Sequence, residues 1–157
     1  MLKYPRFIHL AHLNAFKSTP IIFFSCTTFK RRRILDNTTA FTTLTDIWKK
    51  SAEHNGWFVG YYLLMPDHVH FFARPVSNAD PKSHWVQMWK SVSSRRLAKA
   101  LSLETPVWQE DYFDRYLRSC ENYSDKWNYV CANPVRAGLV PDSGEWKFKG
   151  VMNDLQF

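Results

Sequence analysis

The chain has 157 residues, the length of one typical domain. Hydrophobic residues make up 45% of it and aromatic residues 17%, which excludes global disorder and allows a sizeable core. With 21 Lys and Arg against 14 Asp and Glu, the formal net charge is +7, and such an excess suits a polyanionic partner such as nucleic acid.

The N-terminal part of the chain predicts a strand and a helix. β-branched and aromatic residues fill Ile21–Phe29, which is typical of a buried strand. Asn37 or Thr38 can cap a helix that continues to about His54, because apolar residues recur there at helical spacing. The basic run Lys30–Arg33 between these elements is either a solvated loop or a phosphate-binding segment.

A β-hairpin that carries two histidines is predicted next. Trp57–Leu64 is the second strand, a Pro-Asp turn follows, and His68–Arg74 is the third strand, antiparallel to the second. Because side chains alternate between the faces of a strand, His68 and His70 point to one side, about 7 Å apart. Two such imidazoles can bind one divalent metal. The same short pattern also arises by chance on a solvated strand face.

The second half of the chain predicts a helix, a strand and a further helix. Ser83–Ala100 has a Trp- and Met-rich apolar stripe that belongs to the core. Tyr112–Arg118 predicts a fourth strand, and about Glu121–Ala132 predicts a third helix that stops before Pro134. The order predicts an α+β, ferredoxin-like βαββαβ fold: a four-stranded antiparallel sheet with two helices on one face, plus a C-terminal helix.

Two polar residues of the third helix suggest a chemistry. Tyr129 and Asn133 are four residues apart and therefore share a helix face, away from the predicted apolar stripe. A phenol can attack a phosphodiester and hold DNA as a phosphotyrosine, and a divalent cation compensates for its weak nucleophilicity at neutral pH. His68 and His70 would bind that cation, and the Asn133 amide oxygen is a candidate third ligand. A tyrosine taken alone is more often a surface residue at the edge of the core.

Four sequence blocks occur in order along the chain. They are residues 65–70 (MPDHVH), 90–96 (KSVSSRR), 107–115 (VWQEDYFDR) and 129–140 (YVCANPVRAGLV). Together they resemble the REP-associated tyrosine transposases, which belong to the single-tyrosine transposases of the His-hydrophobic-His nuclease superfamily. The resemblance covers about residues 21–140, which we take as the core of a single transposase-like domain over residues 1–157.

The resemblance implies a specific reaction and site. It implies metal-dependent cleavage and rejoining of single-stranded DNA at hairpin-forming repetitive palindromes, through a 5′-phosphotyrosine intermediate. Tyr129 is then the nucleophile, and His68 and His70 are ligands of Mg²⁺ or Mn²⁺. Asn133 stands where relatives have glutamine. The predicted DNA-binding side chains are those of Arg31, Arg32, Lys90, Arg95, Arg96 and Arg136.

The expected surroundings of the protein follow from cysteine usage, hydropathy and the resemblance. The three cysteines form no Cys-x-x-Cys pair, and no apolar run reaches the roughly 18 residues of a membrane span. We expect a cytoplasmic, nucleoid-associated bacterial protein, a monomer or homodimer, without a membrane partner. Two other functions fit the same pattern: a non-catalytic DNA hairpin-binding protein or repressor, and a metal-dependent hydrolase that uses water.

Overall fold

The computed structural model describes residues 19–155. Its strands are β1 (Ile22–Thr27), β2 (Trp57–Leu64), β3 (His68–Pro75), β4 (Phe113–Tyr116) and β5 (Lys149–Val151). They form one antiparallel sheet in the order β4-β1-β3-β2-β5. Its α-helices are α1 (Thr38–His54), α2 (Lys82–Leu101), α3 (Cys120–Cys131) and α4 (Asn133–Arg136). The predicted ferredoxin-like plan is confirmed, since β4-β1-β3-β2 is its strand order.

Two helices cover one face of the sheet. Trp48 of α1 and the α2 residues Trp85 and Trp89 pack with Phe24 and Phe71 from the two central strands. The rings of Phe24 and Phe71 stack across the strand pair with centroids 4.8 Å apart. This aromatic layer is the larger part of the core, and it fixes the sheet on which the histidines stand.

The opposite face of the sheet is covered by α3. Because side chains alternate along a strand, Phe23 and Phe72 point away from the two-helix layer, and they pack with Tyr123 and Val130 of α3 in a second apolar cluster. His68 and His70 share this face by the same alternation. The fold therefore places the predicted nucleophile helix over the predicted metal ligands.

Three features of the fold differ from the predictions. β5 was not predicted, and it pairs with β2 at the sheet edge. The predicted fourth strand is shorter, since only Phe113–Tyr116 pairs with β1. α3 ends before Pro134 as predicted, but the short helix α4, with Pro134 in its first turn, was not predicted; a first-turn residue needs no N–H partner, so proline is tolerated there. None of the helices in residues 19–155 is both long and apolar enough to span a membrane.

Candidate active site

The two histidines of β3 face each other at contact distance. Nε2 of His68 and Nε2 of His70 are 3.1 Å apart, and the rings meet nearly edge to face. Metal–nitrogen bonds of about 2.1 Å at a right angle put two ligand nitrogens about 3.0 Å apart. The pair therefore has the spacing of two neighbouring ligands of one divalent ion.

Asp67 orients the first of these histidines. Its Oδ1 accepts the Nδ1–H of His68 at 2.7 Å, and its Oδ2 accepts the Nε–H of Arg31 at 3.1 Å. Burial opposes ionisation of Asp67, but the hydrogen bond from His68 and the charge of Arg31 hold its pKa below the ordinary value. A carboxylate in this position keeps the proton of His68 on Nδ1 and leaves the Nε2 lone pair available to a metal.

His70 is held in its neutral form. Burial lowers its pKa from 6.5 to about 3, and the charges of His68, Lys126 and Arg136 act in the same direction. Its Nδ1 is buried and has no hydrogen-bond partner within residues 19–155. That orphaned nitrogen can hold the proton when Nε2 gives its lone pair to a metal. The pair therefore fits a divalent ion.

No third His, Cys, Asp or Glu side chain joins the histidine pair within residues 19–155. Residues 19–155 contain no cluster of three or more His, Cys, Asp or Glu side chains that could hold a metal. Asn133, the predicted third ligand, reaches the same groove as His70. Its amide oxygen accepts a hydrogen bond from Nη2 of Arg136 in this conformation.

The buried neutral His70 predicts a pH-dependent stability in metal-free buffer. Between pH 6.5 and about 3 the unfolded chain binds a proton at His70 that the folded chain does not, so stability falls as the pH is lowered. We expect the free energy of unfolding to be roughly 2 kcal/mol lower at pH 5 than at pH 7 because of His70. Urea unfolding at both pH values should show this loss in the wild type and its absence in His70→Gln. His84→Gln, at an exposed histidine, is the control. If the fall in stability between pH 7 and pH 5 also disappeared in this variant, His70 would not be its source.

Tyr129 lies in a groove between α3 and the histidine face of the sheet. The groove has a volume of about 310 Å³, and His70, Lys126 and Asn133 line it together with the tyrosine. The side chain of Tyr129 is 60% exposed. Its ring centroid is 4.1 Å from Cζ of Arg136 and 5.3 Å from Nζ of Lys126. The groove thus combines an accessible phenol, a neutral imidazole and two cations.

Other tyrosines near Tyr129 in the chain are placed differently. Tyr123, also on α3, points into the core with 8% of its surface exposed, and its hydroxyl accepts the N–H of Tyr61 at 3.5 Å. Burial raises its pKa. Tyr112 and Tyr116 pack against the aromatic layer on the other face of the sheet. Of these tyrosines, Tyr129 alone lines the groove with His70.

Lys126 and Phe113 are groove residues that the sequence analysis did not predict as part of the site. Lys126 precedes Tyr129 by three residues, a spacing that puts both on one helix face, and its Nζ lies 4.6 Å from the ring centroid of Phe23. Burial, followed by the charge of Arg115, lowers its pKa. Phe113 on the edge strand β4 is 51% exposed and also lines the groove. The helical spacing could have revealed Lys126, whereas Phe113 required the sheet order.

Sequence comparison identifies the family. The signature of the family described as "Transposase IS200 like" matches residues 21–126, more than half of the chain. The chain belongs to the IS200-like transposase family. The matched residues include both histidines of β3 and end three residues before Tyr129, so the position of the tyrosine rests on the geometry of α3.

One curated protein and one solved structure are similar to this IS200-like transposase. It is 23% identical over 127 residues to the REP-associated tyrosine transposase of Escherichia coli K12, over 80% of this chain and 73% of that one. A solved structure described as the REP-associated tyrosine transposase bound to a REP hairpin superposes with a TM-score of 0.64 at 22% identity. That match covers 83% of this chain and 75% of that one.

The predicted DNA-binding arginines of the transposase fall into two groups. Arg31 and Arg136 lie beside the histidines and the tyrosine, at Asp67 and in contact with Asn133. Arg31 adopts a left-handed backbone with φ of 53°, which is uncommon for a side chain of this size. The remaining arginines are engaged elsewhere: Arg32 donates to the Pro106 carbonyl, Arg95 to Ser91 and Arg96 to Asp46. Arg95 and Arg96 belong to α2, on the face of the sheet opposite the histidines.

Lys90, a predicted DNA contact, is buried and binds backbone carbonyls of the protein. It is 8% exposed, and its ammonium donates to the backbone carbonyls of Gln109, Glu110 and Asp111 at 2.6–3.2 Å. Burial lowers its pKa. These three carbonyls engage the ammonium within the protein. The charge of Lys90 therefore holds the loop before β4, and its contact with DNA stays a prediction.

This position of Lys90 predicts a loss of stability on its removal. Lys90→Met leaves three carbonyls without their donor, and we expect about 2 kcal/mol less free energy of unfolding. Affinity for a DNA hairpin should stay within about two-fold. Urea unfolding and fluorescence anisotropy measure the two quantities, with Lys99→Met, an exposed lysine of the same helix, as the matched control. If Lys90→Met kept its stability and lost much of its affinity for the hairpin, Lys90 would be a DNA contact after all.

Proposed function

We propose that this transposase cleaves and rejoins single-stranded DNA through a covalent bond to Tyr129, with His68 and His70 holding Mg²⁺ or Mn²⁺. The observation that carries the proposal is the shared groove, in which the exposed phenol of Tyr129 faces the same space as the neutral imidazole of His70. A pure DNA-binding protein would have no use for this combination. The family match supports a DNA-processing enzyme in general.

In the proposed reaction the Tyr129 hydroxyl attacks a phosphorus atom of the DNA backbone. The new bond joins the tyrosine oxygen to phosphorus, and the bond from phosphorus to the 3′ oxygen breaks. The phenol proton passes to solvent, and the departing 3′ oxygen takes up a proton. A metal held by the histidines would polarise the phosphate and offset charge in the transition state. Rejoining is the reverse attack, by a 3′-hydroxyl on the phosphotyrosine.

The remaining groove residues suit a single strand of DNA. Lys126 and Arg136 flank the tyrosine ring and can bind the phosphate that it attacks. Phe113 offers an exposed aromatic surface on which a base can stack. The expected substrate is a hairpin of the repetitive palindromic type, and the REP hairpin bound by the structural neighbour supports this choice.

A 3′-labelled hairpin oligonucleotide tests the proposal. Because the 5′-phosphate stays on the protein, the labelled strand should migrate with the protein on denaturing electrophoresis when Mn²⁺ is present, and should not when EDTA is added. Cleavage without a labelled protein band would favour the water-using hydrolase. Binding without cleavage would favour the non-catalytic hairpin-binding protein.

A further inference from the structure

We propose that Arg136 is a positioning residue that keeps Asn133 from the metal until a DNA phosphate takes its guanidinium. The inference rests on the proposed function and adds an order of assembly to it. Three contacts carry it: Arg136 donates to the amide oxygen of Asn133, donates to the backbone carbonyl of Tyr129 at 2.9 Å, and lies over the tyrosine ring at 4.1 Å.

The break between the last two helices explains why an arginine stands here. α3 ends at Cys131, and α4 restarts around Pro134, which has no N–H to donate to the preceding turn. A proline at this position cannot donate to the carbonyl four residues back, and a cation near a helix C-terminus is favourable. Arg136 reaches back about two turns and donates to the carbonyl of Tyr129, which also accepts the backbone N–H of Ala132. The same reach brings its guanidinium onto the side chain of Asn133.

The guanidinium is available to an anion. Arg136 is exposed and forms no salt bridge with a carboxylate in the part of the chain that the structure describes. Its present partners are neutral acceptors, and a phosphate binds a guanidinium more strongly because both groups are charged and two hydrogen bonds can form. A DNA backbone entering the groove would therefore draw Arg136 away from Asn133.

Release of Asn133 changes what the site can bind. Its amide oxygen is then free to join the two histidine nitrogens as a third ligand, in the groove that Asn133 lines together with Tyr129. The free protein would offer two ligands and the DNA-bound protein three. Metal binding and DNA binding should therefore reinforce each other through one side chain.

Mn²⁺ affinity in the absence of DNA tests this role, measured by electron paramagnetic resonance or calorimetry. Arg136→Met removes the donor and keeps a long side chain against the ring. We expect Mn²⁺ to bind this variant about five-fold more tightly than the wild type, the effect of freeing one ligand from one hydrogen bond. Asn133→Ala should leave Mn²⁺ affinity unchanged in the wild-type background and abolish the gain in the Arg136→Met background. Arg95→Met, far from the groove, is the control.

The outcomes separate this inference from the proposed function. Unchanged or weaker Mn²⁺ affinity in folded Arg136→Met, together with adduct formation by the wild type, overturns the inference alone. No Mn²⁺ binding by the wild type or any variant overturns the metal site and the inference with it. If Arg136→Met does not fold, Arg136→Leu makes the same comparison, because it also removes the donor to Asn133; a Mn²⁺ affinity equal to that of the wild type would again overturn the inference.

Discussion

Replacing Tyr129 with phenylalanine should abolish DNA cleavage and the covalent adduct together. The change removes one oxygen that is exposed in the groove and little volume, so the fold and the hairpin affinity should be preserved. Loss of the only nucleophile in this scheme is expected to reduce the cleavage rate by at least about 10³-fold. Cleavage and adduct can be followed on the same denaturing gel with a 3′-labelled hairpin.

Tyr123→Phe is the matched control for this experiment. It removes one hydroxyl from the same helix, but that hydroxyl is buried against the backbone of Tyr61. We expect some loss of stability, since a buried hydrogen bond contributes about 1 kcal/mol, and an unchanged adduct yield. An adduct that persists in Tyr129→Phe and disappears in Tyr123→Phe would identify Tyr123 as the nucleophile. That result would contradict the assignment of Tyr129.

The second large effect is expected from the two histidines. His68→Ala combined with His70→Ala removes both nitrogens of the 3.1 Å pair, and cleavage in Mg²⁺ or Mn²⁺ should fall by at least about 10²-fold. Hairpin affinity should fall by less than about ten-fold, because phosphate contacts elsewhere supply much of it. Rates come from single-turnover cleavage and affinities from fluorescence anisotropy.

The exposed histidines of the two-helix layer serve as controls for the metal assignment. His54→Ala and His84→Ala should cleave at the wild-type rate, since both side chains are exposed on α1 and α2. Wild-type cleavage by the double variant of His68 and His70 would show that the histidine pair does not bind the catalytic metal.

Local sequence patterns were sufficient for the elements that form the site. Asn37 accepts the N–H of Ala40 at 2.9 Å and so caps α1, as its amide side chain predicted. The observed β2 spans Trp57–Leu64, the predicted range. Strand alternation predicted that His68 and His70 share one face of β3. Helical spacing predicted that Tyr129 and Asn133 share one face of the third helix. Each of these inferences needs only neighbours within a few residues.

The remaining features depend on contacts between distant parts of the chain. β5 is three residues long and becomes a strand only because the edge of β2 is available to pair with it. Lys90 resembles a surface lysine in sequence, and its burial follows from a loop some twenty residues later. Arg136 was predicted to contact DNA, whereas its contact with Asn133 depends on the path of the chain around Pro134.

Identification of the residue that carries the DNA tests the central claim most directly. The adduct formed with a hairpin oligonucleotide in Mn²⁺ can be digested with protease and nuclease, and the modified peptide located by mass spectrometry. We predict a phosphotyrosine at Tyr129 and no other modified site. A label on Tyr123, Tyr116 or Tyr112, or cleaved DNA with no labelled peptide, would contradict the assignment of Tyr129 as the nucleophile.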